Sequence, residues 1–178
     1  IFRARAVTIS FRRKSVQSSL DIIIPVFNEV KILPAFLARI DSTPFCVNHR
    51  LIIIDDHSTD GSYDCVINFP FKSANLVLRN NKNEGKGSSI RHCLNYVSAT
   101  LVCIQDADLE YDPNEINVLI KPVLMKQAEA VFGSRFMTES NYSGSFTHIL
   151  ANWFLTKVFN LCFAANLTDM ETCYKVMH

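Results

Sequence analysis

The sequence lacks several features that would declare a function at once. Its 18 basic and 17 acidic residues leave a net charge of +1, so no global positive field marks it as a nucleic-acid binder. Six cysteines (Cys46, Cys65, Cys93, Cys103, Cys162 and Cys173) are scattered with no Cys-x-x-Cys pair. That spacing excludes a disulfide framework or a zinc site and matches reduced, cytosolic thiols. No apolar run is long and unbroken enough for a membrane-spanning helix. The first residues make a poor signal peptide because arginines recur through them. No internal repeat is present, and neither glycine-rich nucleotide fingerprint occurs. Gly87 follows Lys86, which breaks the G-x-x-x-x-G-K-[ST] pattern, and G-x-G-x-x-G is missing.

What is there suits one globular domain. A chain of 178 residues with 48% hydrophobic content can bury a core. Charge is uneven along it. Residues 1–20 hold Arg3, Arg5, Arg12, Arg13 and Lys14 and no acid; 18 basic residues less these five leaves 13 against 17 acidic, a balance of −4. Residues 1–19 are therefore expected to be a basic arm, either disordered or touching an anionic membrane surface. The domain proper is expected over residues 20–178. The chain begins at Ile1 and stops after His178, which reads as a fragment cut short at its C-terminus.

Apolar runs at Leu20–Val26, Arg50–Ile54, Asn75–Leu78, Leu101–Ile104 and Glu129–Phe132 predict strands. Helices are expected over Glu29–Ile40, capped by Asn28, then Ser62–Asn68, Ser88–Val97, Pro113–Lys126 and Ile149–Leu167. Asp112 before Pro113 has the form of an N-cap. Continuous apolar strands alternating with helices imply an α/β fold, a mainly parallel sheet covered on both faces. Functional residues should then gather at the carboxyl ends of the strands.

Four polar clusters fall there: Phe27-Asn28-Glu29, Asp55-Asp56, Asp106-Ala107-Asp108 and Gly133-Ser134-Arg135. Asp106 and Asp108 lie one residue apart at the end of a buried strand, with Glu110 and Asp112 beyond. Like charges this close repel unless a cation sits between them, and a hard Mg²⁺ or Mn²⁺ ion takes carboxylate and phosphate oxygens together. Acids that only cap the next helix are the competing reading. Asp55 and Asp56 suit a ribose hydroxyl or a base N–H, or a turn in which one acid is purely structural. Lys86 is either a diphosphate contact or a surface lysine. Arg135 offers a planar donor fork to a phosphate, or an exposed salt bridge. In Ile149–Leu167, Asn152, Thr156 and Asn160 recur every four residues beside Lys157, one polar stripe on an otherwise apolar helix. Packing Trp153, Phe154 and Phe159 on the domain core is the favoured reading; an interfacial membrane helix is the other.

Taken together, IIIPVFNE, LIIIDDHSTDGS, NEGKGSSIRHCL, CIQDADLEYDP, AVFGSRF and LTDMETCYKVM resemble family-2 glycosyltransferases of the GT-A fold in order and spacing. The nearest branch is the dolichyl- or polyprenyl-phosphate mannose and glucose synthases. The resemblance implies inverting transfer of a hexose from a nucleotide sugar of the GDP-mannose or UDP-glucose type to a polyprenyl or dolichyl phosphate. It implies that Pro25, Phe27, Glu29, Ile54 and Asp56 cradle the nucleoside, with Phe27 where the family usually has Tyr. Asp106, Ala107 and Asp108 would line the diphosphate pocket, and Asp106, Asp108 and Glu110 would hold Mg²⁺ or Mn²⁺. Arg135 and Lys175 would bind phosphate. A phosphate acceptor is already anionic and needs positioning; a hydroxyl acceptor would need a base, for which Asp169 is the nearest candidate. Such a protein would be cytoplasmic, peripheral at the cytoplasmic face of a membrane, with no nucleic-acid partner. The rivals are a hydroxyl-directed glycosyltransferase, a sugar-phosphate nucleotidylyltransferase, a dehalogenase-type phosphatase and a non-catalytic nucleotide-sugar binder.

Overall fold

A computed structural model describes residues 18–134 and 146–178. Nearly all of the basic arm, and Arg135, lie outside those residues. The chain runs β1 (Ser19–Val26), α1 (Leu33–Ser42), β2 (Asn48–Asp55), α2 (Ser62–Ile67), β3 (Ala74–Arg79), α3 (Lys86–Leu94), β4 (Leu101–Ile104), a 3₁₀ turn (Pro113–Glu115), α4 (Ile116–Leu124), β5 (Ala130–Phe132), α5 (Phe146–Phe163) and β6 (Lys175–Met177). The sheet order is β3-β2-β1-β4-β6-β5. β3, β2, β1 and β4 are parallel, while β6 runs antiparallel to both β4 and β5. The expected mainly parallel α/β sheet is therefore present. Its last element, β6, has no counterpart among the expected strands: three residues are too few to show a period.

Alternation along the strands divides the core in two. Ile22, Ile24, Leu51, Ile53 and Cys103 face one way, against Leu33, Phe36 and Leu37 of α1 and Ile116 and Ile120 of α4. Ile23, Ile52, Ile54 and Val102 face the other way, against Ile90 and Cys93 of α3. Both faces of the central strands are thus dry, which is why they read as unbroken apolar runs.

Helix ends differ from expectation in instructive ways. α1 begins at Leu33 rather than Glu29. Asn28 is not its cap: it takes the left-handed conformation, φ 55°, and its Oδ1 accepts the Thr59 N–H at 2.9 Å. The Glu29 carbonyl accepts from Ile32 and Leu33 in a turn, which leaves Pro34 in the first helical turn, where its missing N–H goes unused. The Asp112 cap is as expected, accepting the Asn114 N–H at 3.1 Å. α5 ends at Phe163, four residues earlier than expected. Ala164 turns left-handed, φ 49°, and the Asn160 amide bonds Leu167 at both N–H and carbonyl, 2.9 Å each.

α5 also corrects the favoured packing. Its polar stripe faces inward and Trp153 and Phe154 face out, while Phe159 is half-buried with its ring 6.1 Å from that of Phe132 on β5, as expected. Asn152 is 2% exposed and donates to buried Asp169 at 2.8 Å; its Oδ1 accepts from Thr156 at 3.2 Å. Thr156 in turn accepts the Met170 N–H at 3.1 Å. Trp153 and Phe154 are 57% and 59% exposed. The 167–171 segment that covers α5 offers mainly backbone polar groups, and amides and hydroxyls answer those better than rings do.

Candidate nucleotide-sugar site

Parallel strands β1 and β4 are neighbours whose connections leave in opposite directions, and a crevice opens at such a switch point. A cleft of about 390 Å³ lies there. Pro25 comes from the end of β1, Phe27 and Glu29 from the turn that follows it, and Asp56 directly follows β2. Asn83, Gly85 and Lys86 come from the loop after β3, and Asp106, Ala107 and Asp108 follow β4.

The turn after β2 builds the wall after β1. Ser58 Oγ accepts the Asn28 N–H at 3.0 Å, Ser62 Oγ accepts that of Glu29 at 2.9 Å, and Asp60 accepts that of Val30 at 3.0 Å. The run of Asp, Ser and Thr that reads as turn chemistry is therefore a clamp on the Phe27–Val30 segment. Asp55 is the structural member of its pair. It is fully buried and holds the Ser58 N–H at 3.1 Å and the Arg79 guanidinium at 3.2 Å.

Asp56 ties the loop after β3 to the sheet. Its carboxylate accepts from Asn80 Nδ2 at 2.7 Å, from the Glu84 N–H at 3.0 Å and from the Gly85 N–H at 2.7 Å. Burial pushes its pKa up, but these donors outweigh burial and hold it below the usual carboxylate range. Asn80, which carried no signal in the sequence, is the hub. It also donates to Ser89 at 2.9 Å, and its Oδ1 meets His92 Nδ1 at 2.9 Å.

Around Asp106 and Asp108 the acids crowd together. Burial first, then the charges of Asp106 and Glu110, raise the pKa of Asp108; burial and Asp108 do the same for Glu29. Lys86 bonds Asp106. Burial opposes its charge, yet the bond and the field of the acids lift its pKa. The Asp106 backbone is fixed underneath by its N–H to Cys173 Sγ, 3.1 Å. These oxygen donors and their mutual repulsion fit a hard divalent cation. Glu110 is exposed and outside the cleft lining, and its N–H bonds Asp108 at 3.1 Å. Among the described residues no three His, Cys, Asp or Glu side chains converge to cage an ion by themselves. Asp106 and Asp108 would therefore share a cation with ligand phosphates and water.

The other expected positions are less alike. Ile54 is wholly buried in the α3-side core, away from the cleft lining. Lys175 is half-buried on β6, where its Nζ donates to the Thr172 carbonyl and lies 5.6 Å from the Phe132 ring centre. Burial, with some repulsion from Lys86, lowers its pKa. Asp169 is 1% exposed beneath Asn152, outside the cleft lining.

The model of the glycosyl transferase family 2 matches residues 21–177, nearly the whole chain. The chain belongs to glycosyl transferase family 2. Curated relatives of this family-2 chain include a dolichol-phosphate mannosyltransferase of Pyrococcus furiosus, 27% identical over 66% of this chain and 33% of the relative. An undecaprenyl-phosphate 4-deoxy-4-formamido-L-arabinose transferase of Serratia proteamaculans is 36% identical over 57% of this chain and 32% of the relative. The chain thus spans about a third of the length of these relatives. Among solved structures, glucosyl-3-phosphoglycerate synthase of Mycobacterium tuberculosis, bound to Mn²⁺, UDP and glucosyl-3-phosphoglycerate, superposes with a TM-score of 0.68 at 18% identity, over 90% of this chain and 56% of that one. A mannosyltransferase of Pyrobaculum calidifontis, bound to GDP-Man and Mn²⁺, gives 0.57 at 21% identity, over 65% of this chain and 35% of that one. At these identities the likeness is one of fold, and the fold is GT-A.

Proposed function

We propose that this family-2 domain binds a nucleotide-sugar donor of the GDP-mannose or UDP-glucose type and passes its hexose, with inversion, to a polyprenyl or dolichyl phosphate. The observation that carries this reading is one cleft lined by two kinds of chemistry. Phe27, 44% exposed, gives it an aromatic ring on which a base could pack. Asp106 and Asp108 give the same cleft paired acids, which a divalent cation with a diphosphate would neutralise. The acceptor follows from the named activities of the curated relatives, which act on dolichol phosphate and undecaprenyl phosphate.

Mg²⁺ or Mn²⁺, when bound by Asp106 and Asp108, would supply charge stabilisation for the departing diphosphate. The chain's own residues do the rest. Phe27, Glu29 and Pro25 fix the nucleoside, Asp56 holds the loop that closes over it, and Lys86, Arg135 and Lys175 provide positive charge for phosphate oxygens. An anionic acceptor attacks without a base, and the burial of Asp169 under Asn152 supports an acceptor of that kind over a hydroxyl.

No helix among the described residues is long and apolar enough to cross a membrane. The outward face of α5, with Leu150, Trp153, Phe154 and Leu161, gives the domain an apolar surface for peripheral contact with the acceptor's membrane. Mass-spectrometric detection of hexose transfer to a polyprenyl phosphate, with donor hydrolysis in parallel, tests the reading. Transfer should require Mg²⁺ or Mn²⁺ and vanish in Asp106→Asn and Asp108→Asn. Metal-dependent nucleotide binding that survives in the double variant would sink the proposed roles of both acids.

A further inference from the structure

We propose that Lys86 is an internal counter-ion of the Asp106–Asp108 pair, and that a divalent cation settles there more tightly once a diphosphate has drawn the lysine away. The inference rests on the nucleotide-sugar reading of the cleft and makes cation and nucleotide binding interdependent through one side chain.

The geometry separates a fixed base from a movable arm. Lys86 is the first residue of α3. The two residues before it are pinned through their N–H groups to Asp56, and the Gly85 carbonyl accepts from Ser88 at 3.0 Å and Ser89 at 3.1 Å. Gly85 takes φ +82°, a conformation L side chains rarely adopt, so the bend into the helix is built into the chain. The Lys86 backbone therefore cannot follow a ligand. Its side chain can: it is 52% exposed and reaches Asp106 across the cleft lining. Lys175, another cation near these acids among the described residues, bonds the Thr172 carbonyl and lies by the Phe132 ring rather than on either acid.

An ammonium bonded to Asp106 does part of the work a metal would do. A divalent ion shared by Asp106 and Asp108 would meet that ammonium at close range, and the two cations repel. Binding of metal alone is therefore opposed by Lys86. A diphosphate bound in the cleft offers the anionic oxygens that Lys86 needs and frees the Asp106 carboxylate. The exchange removes the opposition, so each ligand strengthens the other by the same factor. Lys86 is thus a positioning residue that couples cation binding to nucleotide binding.

Lys86→Met tests this, with the free Mn²⁺ signal in electron paramagnetic resonance as one readout and calorimetry of GDP and UDP as the other. The variant should bind Mn²⁺ alone about tenfold more tightly than wild type, within the usual range for coupled sites. It should bind GDP or UDP at saturating Mn²⁺ about tenfold more weakly, so the mutual enhancement shrinks toward unity. Lys86→Arg should restore the coupling. A merely structural lysine would not tighten Mn²⁺ binding when removed. Unchanged or weaker Mn²⁺ binding by a folded Lys86→Met protein, with nucleotide binding intact in wild type, would overturn the exchange and leave the donor reading standing. Failure of the wild-type domain to bind either nucleoside diphosphate with Mn²⁺ would overturn both.

Discussion

The cleft and the α5 side bury polarity for different purposes. Around the cleft, buried acids hold backbone N–H groups in place: Asp55 fixes the turn after β2 from within the core, and Asp56, which lines the cleft, fixes the loop after β3. On the α5 side a comparable network of Asn152, Thr156, Asn160 and Asp169 sits inside, and the apolar surface that would normally fill such a contact is outside. In the first region polar burial shapes a site. In the second it frees an apolar face. The same residue chemistry, amide and carboxylate against backbone, serves both, and only the neighbouring chain decides which.

The sharpest way to break that comparison is to exchange the two faces of α5. Asn152→Leu removes the donor to Asp169 and the acceptor for Thr156 and the Glu171 N–H. A buried carboxylate stripped of a donor costs about 3 kcal/mol. Trp153→Ser with Phe154→Ser should cost no more than about 0.5 kcal/mol each, as exposed substitutions do. Urea titrations of the three proteins check this. If the aromatic pair lowered stability as much as Asn152→Leu, the outward face would be core after all. If the aromatic pair is silent in stability yet reduces binding to anionic liposomes, the face is a membrane contact.

Asp56→Ala probes the cleft side. It removes the acceptor of three donors that arrange the Asn83–Gly85 loop. Loss of charged hydrogen bonds of this kind costs about 2 kcal/mol. Free nucleoside diphosphate and intact nucleotide sugar should weaken equally, because the loop serves the part common to both. Calorimetry with both ligands decides: a loss confined to the sugar donor would assign Asp56 to the sugar subsite.

How much of this was legible beforehand follows from the physics of each part. Strands β1, β2 and β4 were readable because burial on both faces leaves unbroken apolar runs, and the place of Asp106 and Asp108 in the cleft because both follow β4 at once; their hold on a cation is a proposal. That one acid of Asp55-Asp56 is structural was readable as a possibility; which one depends on Arg79 and Asn80, brought near only by the sheet. β6 was illegible, being three residues without a period. The stripe on α5 was visible, but its direction was not: periodicity locates a face without saying what covers it, and here the cover is the 167–171 backbone. The α1 start was missed because Asn28 has cap chemistry but a left-handed backbone. Arg135 lies outside the described residues, so its role stays a proposal.

A third expectation concerns the amino-terminal ends of β1 and β2, where polarity is buried away from the cleft. Asp21 accepts from Arg50 at 2.9 and 2.7 Å and from the Ser98 and Ala99 N–H groups at 2.8 and 3.1 Å. Burial pushes the Asp21 pKa up, but Arg50 and the two N–H groups outweigh it and hold the carboxyl below its usual range. Because the folded pKa is depressed, the stabilisation is fully present above the unfolded value of about 3.9 and is lost as pH falls through the folded one. Asp21→Asn should cost about 2 kcal/mol at neutral pH and flatten the acid limb of stability against pH. An unaltered acid limb in that variant would assign acid sensitivity to other carboxylates.

The smallest effect comes from polarity that is not buried. Arg39 lies 3.4 Å from Asp112, with the two side chains 41% and 45% exposed. Solvent screens such a pair, so Arg39→Ala should cost only about 0.3 kcal/mol, and less at high salt. Asp112→Ala removes the same pair and also the acceptor for the Asn114 N–H, so it should cost about 1 kcal/mol, the usual worth of an N-cap. The double variant then separates the two roles. If Arg39→Ala has no further effect in the Asp112→Ala background, the pair accounts for the small term and the cap for the large one. If Arg39→Ala alone costs as much as Asp112→Ala, the ion pair holds α1 to the start of α4, and exposed polarity would be contributing here what elsewhere in this domain only buried polarity contributes.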